Sequence, residues 1–422
     1  MTSRRGFIKS SGALAVFGIG LGGLPSFVAR AASGFKLAEP YKKNKILVCI
    51  FQRGAMDGLM AVSPFTDPYL KAARPTLFMS AAQSTGSASL TDLDGRFGLH
   101  PGFKAFEKLF REKRLAIVHG MGSPNNSRSH FDAQDYMESG TPFDKNNNTG
   151  WLNRASGLLD HSGTPFRAVS LTTSLPRSFY GLNQSLAISN LDDFAIRNRS
   201  RGAVPDISAR SFEDLYDQAA TSLYKNTGKE TFEAIRMLDK IDTKKYTPDN
   251  GAVYPNSSLG NSLRQLAQLI KADVGLEIGF AESGGWDTHF NQGTEQGQFA
   301  RNAIDLSGSI AAFWTDLGTS WQDEVTVMTM TEFGRTVKQN GSGGTDHGRG
   351  SCNFIIGHDV IGGKVHGDIK PLAVENLEDG RDLAVTTDFR AVFSSVANGH
   401  LKLKNDGSLF PGWKGDGISL MK

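Results

Sequence analysis

Several short segments carry side chains of the kinds that bind divalent metal ions, and each borders an apolar run. Asp57 lies in a glycine-bounded turn after Ile46–Phe51, and Asp287 and His289 follow Leu276–Phe280. Carboxylate oxygens and imidazole nitrogens suit zinc, manganese, magnesium or calcium. The pattern therefore predicts a site for one or two divalent metal ions. The candidate metal ligands are Asp57, Asp287, His289, Glu332, Asp346 and His347.

A polar loop after the apolar run Leu115–His119 offers a nucleophile. Ser129 supplies a hydroxyl, His130 a candidate base and Asp132 a further candidate ligand within four residues. A hydroxyl at a helix N-terminus gains from the helix dipole and from free backbone N–H groups, which both favour anionic transition states. The same serine could instead be only the N-cap of the helix, and the sequence leaves both interpretations open.

Three arginines near these segments could stabilise a tetrahedral oxyanion, because a guanidinium binds oxyanions through paired hydrogen bonds. They are Arg53, Arg128 and Arg335. We assign stabilisation of the oxyanion to Arg335. One of the three could instead have a structural role. Each acidic or histidine residue taken singly also has a structural explanation, such as a helix cap or an Asx turn. It is their combination next to separate apolar runs that predicts one common site.

The elements that must position these side chains are alternating strands and helices. Short β-branched runs separate amphipathic stretches, which is typical of an α/β fold with a mostly parallel central sheet and helices on both faces. In such sheets ligands bind beyond the carboxyl ends of the strands, so residues after different runs are expected to converge. The predicted strands are Ile46–Phe51, Leu115–His119, Arg167–Leu171, Leu276–Phe280, Val325–Met330 and Asn353–Ile356.

Residues 181–260 depart from this alternation. A polar loop at residues 197–202 is followed by an amphipathic helical run and then by a loop around Pro248 and Pro255. We interpret the segment as a helical insertion in an α/β domain that spans residues 32–422. The alternative is that it simply continues the main domain.

The N-terminal segment predicts export of the folded protein. Arg4 and Arg5 form a paired-arginine block, a glycine-rich apolar stretch follows, and Ala29-Arg30-Ala31 is a small-x-small cleavage site. We therefore expect a twin-arginine signal peptide over residues 1–31, the Tat translocase as the partner during export, and a periplasmic or secreted mature chain. Glycines dilute the apolar stretch, which argues against a stable membrane span after cleavage.

The charge of the mature chain argues against nucleic acid as a partner. The full sequence carries a formal charge of +3, but the first 31 residues hold four basic and no acidic residues, so the remainder carries −1. A near-neutral surface lacks the basic excess that polyanionic partners require. A small-molecule or polymer ester is the expected substrate.

The two cysteines, Cys49 and Cys352, both lie in or beside strand-like runs. An oxidising compartment would permit a disulfide between them. Buried unpaired thiols are the equally open alternative.

A set of motifs resembles the domain-of-unknown-function family 1501, in the family's order and from about residue 45 to about residue 400. The motifs are Met56-Asp57-Gly58, Ser129-His130-Phe131, Gly150-Trp151-Leu152-Asn153-Arg154, Gly285-Trp286-Asp287-Thr288-His289, Thr331-Glu332-Phe333-Gly334-Arg335-Thr336 and Asp346-His347. The family is placed in the alkaline-phosphatase and sulfatase superfamily. The resemblance therefore implies an alkaline-phosphatase-like α/β sandwich with a metal-assisted hydrolase site.

By this resemblance Asp57 would be the first metal ligand, Ser129 the nucleophile, Asp287 and His289 an acid-and-histidine pair, and His347 a late ligand. Two departures bear on the number of metal ions. Asp287 and His289 are spaced more closely than in the well-studied enzymes, and Glu332-Phe333-Gly334 stands where those enzymes have Asp-His-Gly. One imidazole is thus lost unless Asp346-His347 supplies it.

These features together predict an exported metal-dependent hydrolase of phosphate or related esters. Sulfate esters are the less favoured substrates, because Ser174-Leu175-Pro176-Arg177 places its arginine one position earlier than the sulfatase motif does. The alternative is a noncatalytic exported protein that binds a polysaccharide or a partner on a hydrolase-like fold. The departure at Glu332-Phe333 motivates that alternative.

Overall fold

A nine-stranded sheet lies at the centre of the computed structural model, which describes residues 43–81, 89–191, 246–403 and 407–422. The spatial order of the strands is β8-β2-β7-β6-β1-β5-β3-β4, and β9 pairs with β2 beyond the end of β8. The strands are β1 Ile46–Gln52, β2 Leu115–Gly122, β3 Ala168–Ser170, β4 Leu186–Ala187, β5 Ile278–Ser283, β6 Val325–Met330, β7 Ser351–Gly357, β8 Lys364–His366 and β9 Thr387–Asp388.

Helices and a small sheet complete the described structure. The α-helices are α1 Gly58–Ala61, α2 Pro68–Ala73, α3 Glu107–Arg111, α4 His130–Ser139, α5 Trp151–Gly157, α6 Ser258–Lys271, α7 Gln298–Trp321 and α8 Phe389–Leu401. The 3₁₀ helices are Pro101–Phe106, Arg177–Phe179 and Val374–Asn376, and the small antiparallel sheet pairs Val62–Ser63, Gly98–Leu99 and Thr91–Asp92.

All pairings in the large sheet are parallel except those of β7, which runs antiparallel to both of its neighbours, β2 and β6. Because β7 is reversed, β2 and β6 point the same way, and so do β1, β5 and β3. The carboxyl ends of these strands and the first residue of β7 therefore share one edge of the sheet.

Both faces of the sheet are covered by helices, which explains why its central strands read as continuous apolar runs. In β1, Ile46, Val48 and Ile50 pack into the cluster that includes α6 and α7. Leu47, Cys49 and Phe51 alternate with them and pack with α5 and α8 on the opposite face. The mixed, mostly parallel α/β fold predicted from the sequence is confirmed.

The six predicted strands are all present, with ends that move by a few residues. Cys49 and Cys352 lie on these strands as buried free thiols, so the structure has the unpaired alternative and not the disulfide. Burial raises the pKa of both thiols. The predicted signal peptide and residues 192–245 of the predicted insertion lie outside the described residues. Within the described ranges, no helix combines the length and apolar character needed to cross a bilayer.

Candidate metal centre

The predicted convergence of side chains occurs at the edge where the strands end. His130 begins α4 after β2, Asp287 and His289 follow β5, and Glu332 follows β6. His347 comes just before β7, and the reversed direction of that strand is what brings it to the same edge. Five residues from four parts of the chain thus meet at one place.

His130, Asp287 and His347 form the closest group, because one ligand atom from each lies within 4.8 Å of the others. The Asp287 carboxylate is 3.5 Å from His130 Nε2 and 3.3 Å from His347 Nε2. His289 adjoins this group, with its Nε2 3.1 Å from Asp287 Oδ1 and 2.9 Å from His347 Nε2. We call these four residues the ligand cluster.

Each imidazole of the ligand cluster is held from behind at Nδ1. His130 Nδ1 lies 2.8 Å from Glu332 Oε1, His347 Nδ1 lies 2.8 Å from the backbone oxygen of Arg128, and His289 Nδ1 lies 3.0 Å from Asp346 Oδ1. An acceptor at Nδ1 holds the ring proton there and leaves the Nε2 lone pair free. The lone pairs of three rings are therefore directed to the same place as the Asp287 carboxylate.

The contacts inside the ligand cluster fit a bound cation. His130 Nε2 is buried and has no hydrogen-bond partner. His289 Nε2 and His347 Nε2 are only 2.9 Å apart, and each ring also has an acceptor oxygen at its Nδ1. With both ring protons on Nδ1, the two facing Nε2 lone pairs repel each other, and a shared proton or a metal cation between them relieves that repulsion. Imidazole nitrogens and a carboxylate are a common ligand set for transition metals.

Glu332 supports His130 and does not enter the group of close ligand atoms. Its Oε1 accepts from His130 Nδ1, from the Gly54 N–H at 2.8 Å and from Gln134 Nε2 at 3.0 Å. Burial would raise the pKa of Glu332, but the hydrogen bonds from His130 and Gln134 outweigh it, so this pKa is lowered. The same contact is the main reason that the pKa of His130 is raised, whereas burial lowers the pKa of His347.

Arg335 is fully buried and positions Asp287. Its Nη1 donates to Asp287 Oδ1 at 2.6 Å, and its Nη2 and Nε donate to the carbonyl and hydroxyl oxygens of Thr345. Burial would raise the pKa of Asp287, but Arg335 reverses the direction and the pKa is lowered. The guanidinium of Arg335 therefore keeps the Asp287 carboxylate ionised and fixes its orientation.

Gly54 allows the turn after β1 to approach the ligand cluster. Its φ is +112°, a conformation that glycine tolerates, and a Cβ at this position would lie 2.6 Å from the Asp287 backbone nitrogen. The close approach lets the Gly54 N–H reach Glu332. A side chain here would push the turn after β1 away from the backbone of Asp287.

Asp57, the first ligand predicted from the sequence, is engaged elsewhere. Its carboxylate is about 1% exposed and binds both terminal nitrogens of Arg74, at 2.8 and 3.1 Å. Gln292 Nε2 donates to it at 2.7 Å, and it caps α1 through the Met60 N–H. Because its oxygens already have these donors, we leave Asp57 out of the ligand cluster.

Ser129 is exposed and is the N-cap residue of α4, but its side chain makes no capping hydrogen bond. Its hydroxyl therefore stands at the helix N-terminus directly before His130. Asp132, the further candidate in this loop, points to Lys145 at 2.7 Å. Asp346 is also exposed and binds His289 and Asn340.

Residues that the sequence analysis did not single out complete the site. Gln134 holds Glu332, and Asn340 Nδ2 donates to the Asp346 carboxylate at 3.0 Å. Gln134 lies four residues after His130 on α4, a spacing that places both on one helix face and could have identified it. The contact between His347 Nδ1 and the backbone oxygen of Arg128 could not be found from the sequence, because a backbone acceptor does not depend on the residue type.

Comparison with protein families gives a match over most of the chain. The model of the family described as "Protein of unknown function (DUF1501)" matches residues 115–410, which include every residue of the ligand cluster. Asp57 lies before the matched region. No curated protein matches the chain significantly.

Solved structures with a similar course of the chain have low sequence identity. The zinc complex of the C-terminal periplasmic domain of EcEptC from Escherichia coli has 9% identity, a TM-score of 0.39, and coverage of 90% of this chain and 93% of that one. A protein of the alkaline phosphatase superfamily from Vibrio parahaemolyticus has 12% identity, a TM-score of 0.34, and coverage of 79% and 66%. Alkaline phosphatase from the Antarctic bacterium TAB5 has 12% identity, a TM-score of 0.28, and coverage of 75% and 92%.

Proposed function

This chain belongs to the DUF1501 family, and we propose that it is a metal-dependent hydrolase of phosphate or related esters. The observation that carries the proposal is the ligand cluster, in which His130, His289 and His347 direct Nε2 towards the Asp287 carboxylate. His130 Nε2 supports it further, because it is buried without a hydrogen-bond partner, with the Asp287 carboxylate 3.5 Å away, and a buried polar atom normally has such a partner.

We propose one divalent ion at the ligand cluster, zinc or manganese rather than magnesium or calcium. Three imidazoles favour transition metals, whereas magnesium and calcium prefer oxygen ligands throughout. A single ion agrees with the contacts of Asp57 and Glu332, since Arg74 binds the first and His130 with Gln134 binds the second. When bound, the ion supplies Lewis acidity that withdraws electron density from an ester oxygen.

The chain's own residues provide the rest of the proposed reaction. We assign Ser129 as the nucleophile, because its hydroxyl is exposed at the N-terminus of α4 and free of a capping bond. The serine oxygen bonds to phosphorus, and the bond to the leaving-group oxygen breaks with its electron pair. That oxygen receives the serine proton through solvent. Water then displaces the serine oxygen, which regains a proton, and inorganic phosphate or a phosphate ester is released.

Metal content tests the ligand cluster directly. The full-length chain should retain about one equivalent of zinc or manganese after loading and dialysis, whereas Asp287→Ala and His347→Ala should lose it. Matched controls are Asp132→Ala and His358→Ala, which remove an acid and a histidine that are paired elsewhere, with Lys145 and Asp323. If the loaded wild-type protein retains no ion, the proposed function is wrong.

Activity tests separate the hydrolase from the noncatalytic alternative. Aryl phosphates, aryl phosphodiesters and aryl sulfates should be tried with the loaded protein. A retained ion without turnover of any of them would support the binding protein instead. Ser129→Ala should lower kcat by at least about a hundredfold with the metal content unchanged; an unaltered kcat would assign the attack to water.

We propose that the protein is exported folded by the twin-arginine pathway. The support is the sequence of residues 1–31, with its paired arginines and small-x-small site. Replacing Arg4 and Arg5 by lysine should leave the chain in the cytoplasm with the segment uncleaved. Normal export of that variant would contradict the proposal.

A further inference from the structure

The arginines around the ligand cluster are already paired with carboxylates. Arg335 binds Asp287, and the guanidinium groups on the neighbouring segments are bound in the same way. Such groups would otherwise be the natural partners of a phosphate's non-bridging oxygens. The other pairs are Arg53 with Glu138 and Glu282, Arg128 with Asp379 and Asp382, and Arg381 with Asp382.

The charge of the ligand cluster and its direct supports is balanced by one divalent ion. Asp287 is paired with Arg335, Glu332 accepts from His130, Gly54 and Gln134, and Asp346 is bound by His289 and Asn340, so we count three negative charges and one positive charge. One divalent cation cancels the remaining charge of −2. A substrate with two negative charges would then bring an excess that none of the four paired arginines is free to meet.

Two phenylalanines next to the ligand cluster are strongly exposed. Phe131 is 88% exposed and follows His130, and Phe290 is 70% exposed and follows His289. The Phe290 ring lies 6.5 Å from the His289 ring, measured between centroids. Large aromatic side chains in contact with water gain free energy when a ligand covers them. Each phenylalanine follows a histidine of the ligand cluster, and this position favours a substrate that has an apolar substituent.

We propose that the substrate is a singly charged phosphodiester, not a doubly charged monoester, and that Phe131 and Phe290 contact its non-leaving apolar substituent. The inference rests on the proposed function and specifies its substrate class. A diester has one negative charge on its non-bridging oxygens, and its second ester group supplies the surface that a phenyl ring can cover. A monoester has an extra charge in place of that group.

Three substrates with the same leaving group test the inference. They are bis(p-nitrophenyl) phosphate, methyl p-nitrophenyl phosphate and p-nitrophenyl phosphate, which differ only in charge and in the non-leaving substituent. For the loaded protein, kcat/KM should be at least about tenfold higher for the bis-aryl diester than for the monoester, because no free positive charge in the partly buried site compensates the monoester's second negative charge. The methyl diester should fall between them.

Substitution of the two phenylalanines tests their role. Phe131→Ala and Phe290→Ala should each reduce the ratio of kcat/KM for the bis-aryl diester to kcat/KM for the methyl diester by about three- to tenfold. Phe143→Ala is the matched control, since Phe143 is 71% exposed but lies beyond the other end of α4. The metal content of all three variants should equal that of the wild type.

Calorimetric binding of diphenyl phosphate and phenyl phosphate to the zinc-loaded protein gives a readout that does not require turnover. Tighter binding of diphenyl phosphate, weakened by Phe131→Ala or Phe290→Ala, supports the inference even if no substrate is hydrolysed. Absence of hydrolysis alone would therefore overturn only the proposed function. Equal or tighter binding of phenyl phosphate, no binding of either compound, or phenylalanine variants identical to the wild type would overturn the inference.

Discussion

Replacement of Asp57 by alanine should destabilise the protein without removing its metal ion. The change takes away the acceptor for two Arg74 nitrogens, for Gln292 Nε2 and for the Met60 N–H. Arg74, whose side chain is 2% exposed, would keep only the carbonyl oxygens of Thr336 and Val337. Its positive charge would then be buried without a counter-ion.

The expected loss follows from the burial of this pair. Breaking a buried ion pair from one side costs about 3–5 kcal/mol of unfolding free energy. For a chain of 422 residues the unfolding entropy is roughly 0.9 kcal/mol/K, so the Tm should fall by about 3–6 °C. Arg74→Met should cost a similar amount, and the double variant should cost clearly less than the sum, because it leaves neither charge unpaired.

Thermal and urea unfolding of the chelator-treated protein would measure these losses in the absence of any metal ion. The metal content of the same variant is measured separately after loading. If Asp57→Ala instead loses the ion while the unfolding free energy of the metal-free protein stays within about 0.5 kcal/mol of wild type, then Asp57 is a metal ligand and our account of its contacts fails.

Three further changes test the supports of the ligand cluster and the buried core. Glu332→Gln should weaken zinc affinity, measured in a competition titration, about 10–100-fold, because it removes the charged acceptor behind the ligand His130. The substitution Glu375→Gln, at an exposed position, should leave the zinc affinity unchanged. Gly344→Ala would place a Cβ 2.4 Å from the His289 carbonyl and should also weaken zinc binding, while Gly341→Ala, in the same loop with nothing within 4 Å, should not. Burial lowers the pKa of His400 to about 4, so the unfolded chain takes up the proton first as the pH falls. The contribution of neutral His400 to the unfolding free energy is complete above about pH 6.5 and is lost towards pH 4. Urea unfolding at each pH should show a loss of about 2 kcal/mol from this residue between pH 7 and 5. His400→Gln should reduce this pH dependence.

The strands could be predicted from the sequence because each central strand is buried on both faces and reads as a short apolar run. Val325–Met330 was predicted with the bounds that the structure has, and Ile46–Phe51 is short by one residue. The spatial order of the strands and the reversal of β7 could not be predicted, since pairing partners leave no local pattern. That reversal matters here, because His347 precedes its strand and reaches the common edge only when the strand runs backwards.

The prediction for Asp57 shows a second limit of the sequence. A carboxylate in a glycine-bounded turn after a strand has the same local pattern whether it binds a metal ion or an arginine. Arg74 lies 17 residues further along the chain, and only the packing of α2 beside the turn brings it to Asp57. Residue type and spacing indicated where acids gather, but not which of them already have a buried counter-charge.

The roles within the site are divided by which ring nitrogen faces which carboxylate. This division gives Glu332 a supporting role in an arrangement whose imidazoles come from other segments. Glu332 faces Nδ1 of His130 and not Nε2, so it acts on the far side of the ring. His289 and His347 already supply the imidazoles on the near side of the cluster, and Asp287 supplies the carboxylate. Glu332 is therefore not needed as a ligand in this arrangement, and it fixes the tautomer of His130, whose Nε2 is buried without a hydrogen-bond partner.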